Sequence, residues 1–301
     1  MKNEEFLLTI VLPCYNEADN IPVFFPKLLK FAEEKNFRVI AVNDGSSDSS
    51  LMELQKFADS PVFSIVSHKC NRGYGGALKT GLEAVQTEYA ITIDSDGQHR
   101  LEDVVSCFDC IVKNNADLVV GARMNNQSGG YRSLGKWLIR TFAGTLLTLT
   151  VKDLNSGMKC YRMSEARQYL DLCPDTMAFS DVILLLMIND RKLVMETPIL
   201  VEARTAGKST IGTRTFLVTV AEILNLAVLL RPMTTFFRLG SIFLLAGVGW
   251  STFTYVKSNI LSSAAVMLMI FGFFCFILGL LGEQLCQIRK KLSKISSRNV
   301  K

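Results

Sequence analysis

The sequence predicts an α/β domain built on a doubly wound, mostly parallel sheet, followed by two helices that cross a membrane. Three observations predict it. Apolar runs of strand length recur at residues 6–12, 38–42, 61–66, 89–93 and 117–121 and alternate with helix-patterned segments, the alternation that gives a parallel sheet with helices on both faces. The chemically unusual loops each follow one of these runs, so all of them gather on one edge of the sheet. Hydrophobic residues make up 49% of the chain, mean hydropathy is +0.26, and most of the excess lies after residue 215.

The elements follow in order. Residues 6–12 form a continuous apolar run that suits a strand buried on both faces, and Pro13 is expected to end it. The loop Pro13-Cys14-Tyr15-Asn16-Glu17 leads to a helix that Asp19 or Asn20 can cap, with Pro22 in its first turn and Phe24, Leu28, Leu29 and Phe31 on its apolar face. The second strand runs into Asn43-Asp44-Gly45-Ser46. The third leads to Asn71-Arg72-Gly73-Tyr74-Gly75-Gly76 and a helix through Leu78, Leu82 and Val85. The fourth ends at Asp94-Ser95-Asp96-Gly97-Gln98-His99. A helix over 101–112 precedes the fifth strand, which ends in Ala122-Arg123. Short strands are expected over 158–162 and 194–197.

Composition narrows the function classes. The net charge is a modest +5, much of it in a tail beginning Arg289-Lys290-Lys291, and no basic, aromatic-interleaved surface suggests a nucleic-acid partner. Residues 1–6 run straight into the first strand without a signal-peptide h-region. Of the eight cysteines, Cys107 and Cys110 form one Cys-x-x-Cys pair with no second pair of matching spacing, which favours reduced thiols over zinc. In the acidic hexad, two carboxylates one residue apart, Asp94 and Asp96, can hold a hard divalent cation with positions left open for phosphates. Gln98 can add a neutral oxygen or orient a metal-bound water. The other strand-end loops bring to the same crevice a tyrosine that can stack on a base and a carboxylate that can accept from its N–H. They also bring arginines that can neutralise a diphosphate.

Six ordered blocks carry a resemblance: Leu12-Pro13-Cys14-Tyr15-Asn16-Glu17, Val42-Asn43-Asp44-Gly45-Ser46, Asn71-Arg72-Gly73-Tyr74-Gly75-Gly76-Ala77, the hexad, Gly121-Ala122-Arg123 and Asp153-Leu154-Asn155-Ser156-Gly157. Over roughly residues 7–215 the chain resembles family-two inverting glycosyltransferases of the dolichol-phosphate mannose synthase and polyisoprenyl-phosphate glycosyltransferase branch. The resemblance implies an A-type glycosyltransferase fold and a Mg²⁺ or Mn²⁺ ion on Asp94, Asp96 and Gln98. It places base and ribose against Pro13, Tyr15, Glu17 and Asp44, with Arg72, Gly73, Asp94 and Ser95 completing the donor site. Asn43 stands where relatives often carry a second Asp, so Asp44 serves alone. Asp153 is the implied catalytic carboxylate, either as a base or as a residue that positions the acceptor. A lipid phosphate, with a second pKa near ~6, hardly needs a base.

The remaining segments suit a lipid acceptor. Residues 132–150 form an amphipathic stretch with Trp137 between Lys136 and Arg140, fit for a membrane interface. The loop 204–210 is basic, and Arg204 and Lys208, with Arg123 and Arg132, are expected to meet the acceptor phosphate. His68 is expected to be structural, and His99 to cap the next helix or sit beside the metal. Residues 239–256 and 260–282 are nearly uncharged and long enough to span a bilayer. Arg231 and Arg238 precede them and the basic tail follows, which puts both ends in the cytoplasm.

The expected division is a cytosolic nucleotide-sugar domain over 1–214, a juxtamembrane helix over 215–235, two spans over 236–286 and a tail over 287–301. The expected activity is transfer of a hexose from a UDP- or GDP-linked sugar to a polyprenyl phosphate by an integral membrane enzyme. A processive polysaccharide synthase is disfavoured because no Gln-x-x-Arg-Trp motif is present. A non-catalytic nucleotide-sugar-binding module is disfavoured by the intact hexad and Asp153. Gly240, Gly247, Gly272 and Gly279 could pack spans of a homo-oligomer together.

Overall fold

The computed structural model describes residues 6–124, 151, 153, 154, 156–200, 228, 231–259 and 262–299. The chain divides into two compact units, residues 1–132 with 149–210 and residues 133–148 with 211–301. The segment with Trp137, the loop 204–210 and the juxtamembrane stretch before residue 228 lie outside the described residues, and with them Arg132, Arg204 and Lys208.

In the first unit, seven strands form one sheet in the order β3-β2-β1-β4-β6-β5-β7. They are β1 (Leu8–Cys14), β2 (Phe37–Asn43), β3 (Phe63–Ser67), β4 (Tyr89–Thr92), β5 (Leu118–Arg123), β6 (Lys159–Arg162) and β7 (Val194–Ile199). The helices are α1 (Ile21–Lys35), α2 (Ser50–Gln55), α3 (Tyr74–Glu83), α4 (Leu101–Lys113), α5 (Met163–Leu170) and α6 (Phe179–Asn189). One strand departs from parallel order. β6 runs antiparallel between β4 and β5, so β5 keeps the direction of β4 without pairing to it. The C-terminal ends of β1 to β5 therefore share one edge, and the segment entering β6 arrives at that same edge.

β1 does not stop at Pro13. It pairs with β2 as far as Cys14 but with β4 only as far as Val11. Alternate residues of a strand face the same side, and Val11 O, which accepts from Ile93 N at 3.1 Å, faces β4. Pro13 thus presents its missing donor to a neighbour that has already turned away, the situation in which a strand tolerates proline. Its carbonyl accepts from Ser95 Oγ at 2.9 Å. Asn20 occupies the N-cap of α1 but makes no side-chain cap; its amide donates to Glu17 Oε2 at 2.5 Å instead. The main core lies between the sheet and α1 and α4, where Leu8, Ile10, Leu12, Phe25, Leu28, Val39, Ile91 and Ile111 are buried.

In the second unit, α7 (Pro232–Ser258) and α8 (Ser263–Asn299) form a hairpin closed by Asn259 in the left-handed conformation (φ 53°). The windows Pro232–Ser258 and Ser263–Ile288 are long and apolar enough to cross a membrane. A Cβ on Gly240 would stand 2.7 Å from Gly272 O, and one on Gly272 2.8 Å from Gly240 O. Gly247 sits as closely against Met269, and Gly279 lies against Phe236. The four glycines are occupied in packing α7 on α8, because close helix approach requires small residues.

Candidate active site

The acidic loop is pinned before it meets any ligand. Ser95 holds Pro13 as described, Gly97 takes φ +71°, and Asp96 Oδ1 accepts from Gln98 N at 3.1 Å. Asp94 is held at both oxygens. Tyr74 Oη donates to Oδ1 at 3.0 Å, and His99 Nε2 lies 3.4 Å from Oδ2. Burial alone would raise the Asp94 carboxyl, but His99, Tyr74 and Arg123 together hold it below the usual carboxylate range. Burial and the Asp94 charge push the Tyr74 phenol well up, so it stays a donor. On the far side Gly157 leaves room that a side chain would take, since a Cβ there would stand 2.7 Å from Asp94 Oδ2.

This donor set fits a hard cation. Asp94 keeps 37% of its side chain exposed, and Asp96 and Gln98 are partly exposed. No group of three or more His, Cys, Asp or Glu side chains is placed to enclose a metal among the described residues. Two carboxylates and an amide suit Mg²⁺ or Mn²⁺, which keep open positions for phosphate oxygens, better than a closed zinc site. His99 is buried, and its Nδ1 has no hydrogen-bond partner among the described residues.

The loops after β1 and β2 are stitched together. Asn16 N, Glu17 N and Ala18 N donate to Ser46 Oγ, Ser50 Oγ and Asp48 Oδ2 at 2.8–3.2 Å, and Asn16 Oδ1 accepts from Ser47 N at 2.9 Å. Tyr15 is left 47% exposed. Asp44, expected at the base or ribose, is buried and turned into its own protein. Oδ1 lies 2.6 Å from His68 Nδ1 and accepts from Arg72 N at 2.9 Å, while Oδ2 accepts from Gly73 N at 2.9 Å. His68 Nε2 in turn meets Thr80 Oγ1 at 2.9 Å. Asp44 thereby shapes the Arg72-Gly73 turn, where Gly73 takes φ +90°, and leaves the Arg72 residue exposed.

At the end of β5, Arg123 grips Asp153. Nε and Nη2 donate to Oδ2 and Oδ1 at 2.8 and 2.9 Å, and the Arg123 N–H adds a third bond at 3.1 Å. Asp153 N donates to Glu196 Oε1 of β7 at 3.0 Å. Burial would raise the Asp153 carboxyl, yet the Arg123 hydrogen bonds and charge hold it below its ordinary range. The same pair raises Arg123 further. A carboxylate so paired is a poor proton acceptor near neutrality.

Sequence reasoning gave no role to Tyr74, Gly157, Glu196 or Lys159. Of these, Lys159 left a signal: it is a cation between the apolar Met158 and Cys160 of a short strand. It is fully buried, and its ammonium donates to Leu154 O and Ser156 O at 2.9 Å each and to Ser180 Oγ.

Comparison with known proteins identifies the family. The model described as glycosyl transferase family 2 matches residues 9–169, and that of the GtrB C-terminal hairpin matches residues 231–288. A dolichyl-phosphate β-glucosyltransferase of Saccharomyces cerevisiae is 27% identical over 65% of this chain and 67% of its own. One of the same description from Dictyostelium discoideum is 26% identical, and the match spans only 57% of its length. An undecaprenyl-phosphate 4-deoxy-4-formamido-L-arabinose transferase of Sodalis glossinidius is 25% identical over 93% of this chain and 89% of its own. Among solved structures, Mycobacterium tuberculosis glucosyl-3-phosphoglycerate synthase, in complex with Mn²⁺, UDP and phosphoglyceric acid, superposes with a TM-score of 0.57 at 16% identity. That superposition covers 74% of this chain and 78% of that one, a likeness of fold. The chain belongs to glycosyl transferase family 2.

Proposed function

We propose that this chain is a membrane-anchored inverting glycosyltransferase that moves a sugar from a nucleoside diphosphate to a polyprenyl phosphate. The observation that carries the reading is the meeting, on one sheet edge, of the Asp94–Asp96 loop with the Arg123–Asp153 pair, in a chain that also has an apolar helical hairpin. The relatives named for dolichyl- and undecaprenyl-phosphate transfer support this acceptor class.

Asp94, Asp96 and Gln98 would hold Mg²⁺ or Mn²⁺, which when bound neutralises the donor diphosphate. Tyr15 stacks on the base, and the Arg72-Gly73 turn, shaped by Asp44, borders the phosphates. Arg123 offers its remaining N–H groups to phosphate oxygens, where developing charge needs preorganised donors. Asp153 holds that guanidinium in place. It takes no proton, because an acceptor phosphate with a second pKa near ~6 is already ionised at neutral pH. A phosphate oxygen then attacks the anomeric carbon, the bond to the nucleoside diphosphate breaks, and configuration inverts. Arg231 and Arg238 ahead of the first apolar run and Arg289, Lys290 and Lys291 just past the second favour a cytoplasmic placement of both ends.

The test is release of nucleoside diphosphate by detergent-purified protein with Mn²⁺ or Mg²⁺, over a panel of UDP- and GDP-sugars, with and without polyprenyl phosphate. Release that needs the lipid and selects one donor is expected, and Asp96→Asn should abolish it. Equal turnover without lipid, or an active Asp96→Asn protein, would overturn the acceptor or the cation assignment respectively.

A further inference from the structure

Lys159 is a buried cation that no step above uses. It opens β6, between Thr92 of β4 and Val120 of β5, and none of its surface is exposed. Its three protons have three acceptors: Leu154 O, Ser156 O and Ser180 Oγ at the start of α6. Ser180 Oγ also donates to Ser156 O at 3.1 Å. Burying an ammonium is costly unless every donor is met and anions stand near. Burial, helped by the Arg123 charge, brings the group down to about 8, against Asp181, Asp153 and Asp94, which favour the charged form; all three donors are met and anions stand near. Methionine would fill similar space without that cost, so packing does not explain a lysine here.

The atoms that Lys159 grips belong to one segment. Residues 153–157 carry Asp153 at one end, bonded to Arg123. At the other end is Gly157, whose carbonyl accepts from Thr92 Oγ1 at 2.8 Å and whose Cα side faces Asp94. Leu154 O is turned inward to the ammonium, and Ser156 O to the ammonium and Ser180 Oγ, as buried carbonyls require donors.

We propose that Lys159 is a positioning residue whose ammonium clamps the 153–157 segment to the start of α6, and so sets Asp153 and Asp94 relative to each other. The kinetic consequence rests on the sugar-transfer reading; the clamp itself does not. The experiment compares full-length wild type, Lys159→Met and Ser180→Ala in detergent by hydrogen–deuterium exchange, thermal unfolding and kinetics. In Lys159→Met, exchange at 153–157 should rise at least ~10-fold while β1 and β2 amides keep their protection. Its kcat should fall ~100-fold with donor KM changed less than ~3-fold, the pattern of misplaced groups and not of lost binding. Ser180→Ala, which removes one of three acceptors, should fold normally and move both readouts the same way by less. Unchanged exchange at 153–157 in both variants would overturn the clamp, as would a loss of kcat that merely follows global unfolding. If wild type transfers no sugar from any donor, the functional reading falls, and exchange alone still decides the clamp.

Discussion

Replacing Asp153 with asparagine separates two roles for this carboxylate. The substitution keeps the shape but removes the charge from a pair joined by two side-chain bonds of 2.8 and 2.9 Å and a backbone bond of 3.1 Å. Asp153 is 8% exposed at its side chain and Arg123 29%. Stripping one partner from a buried pair costs ~3–5 kcal/mol. Water can reach part of the guanidinium, so the expected loss of stability is about 2–3 kcal/mol. For a unit of this size that is a fall in Tm of about 5–10 °C. A guanidinium released from its holder also costs rate, on the order of 100-fold in kcat. The deciding assay is kcat against pH from about 5.5 to 8.5 for both proteins. With Asp153 held below the carboxylate range by Arg123, the mutant profile should be lowered evenly and keep the wild-type acid limb, set by the acceptor phosphate near ~6. An acid limb present in wild type and absent from Asp153→Asn would refute this reasoning and restore Asp153 as a base.

Other outcomes follow from the same geometry. Gly157→Ala places a methyl 2.7 Å from Asp94 Oδ2; Mn²⁺ affinity, read by paramagnetic titration, should weaken ~10-fold or more, the scale set by disturbing a ligand's support. Asp94 and Asp153 are both lowered in the folded state, so the unfolded chain binds protons first as pH falls. Their contribution is complete above the ordinary carboxylate value and is lost as pH drops through the lowered ones. Acid unfolding followed by circular dichroism should therefore be less steep in Asp153→Asn. Gly240→Leu cannot keep the approach to Gly272 O, and should lower the thermal stability of the hairpin in detergent without moving donor binding by the first unit.

Much was legible in the chain itself. Strands read as continuous apolar runs, so β1 to β5, the hexad after β4 and the two long helices were visible from composition and spacing alone. The ordered motifs supplied the family and the candidate loop for a cation. Local pattern records whether a residue is buried, though not which strand lies beside it. The insertion of β6 between β4 and β5 is such a neighbour relation, and it alone brings Gly157 to Asp94 and Lys159 beneath the 153–157 segment. Charge pairing is likewise non-local: Arg123 and Asp153 stand 30 positions apart, and only the tertiary structure shows the candidate base paired with a guanidinium. Asp44 faces inward for the same reason, since its oxygens are met by His68, Arg72 and Gly73, groups of the loop between β3 and α3 that no spacing rule assigns to it. Periodicity thus determined the layers and the place of the site, while register and long-range hydrogen bonding decided which side chains are free to meet a ligand.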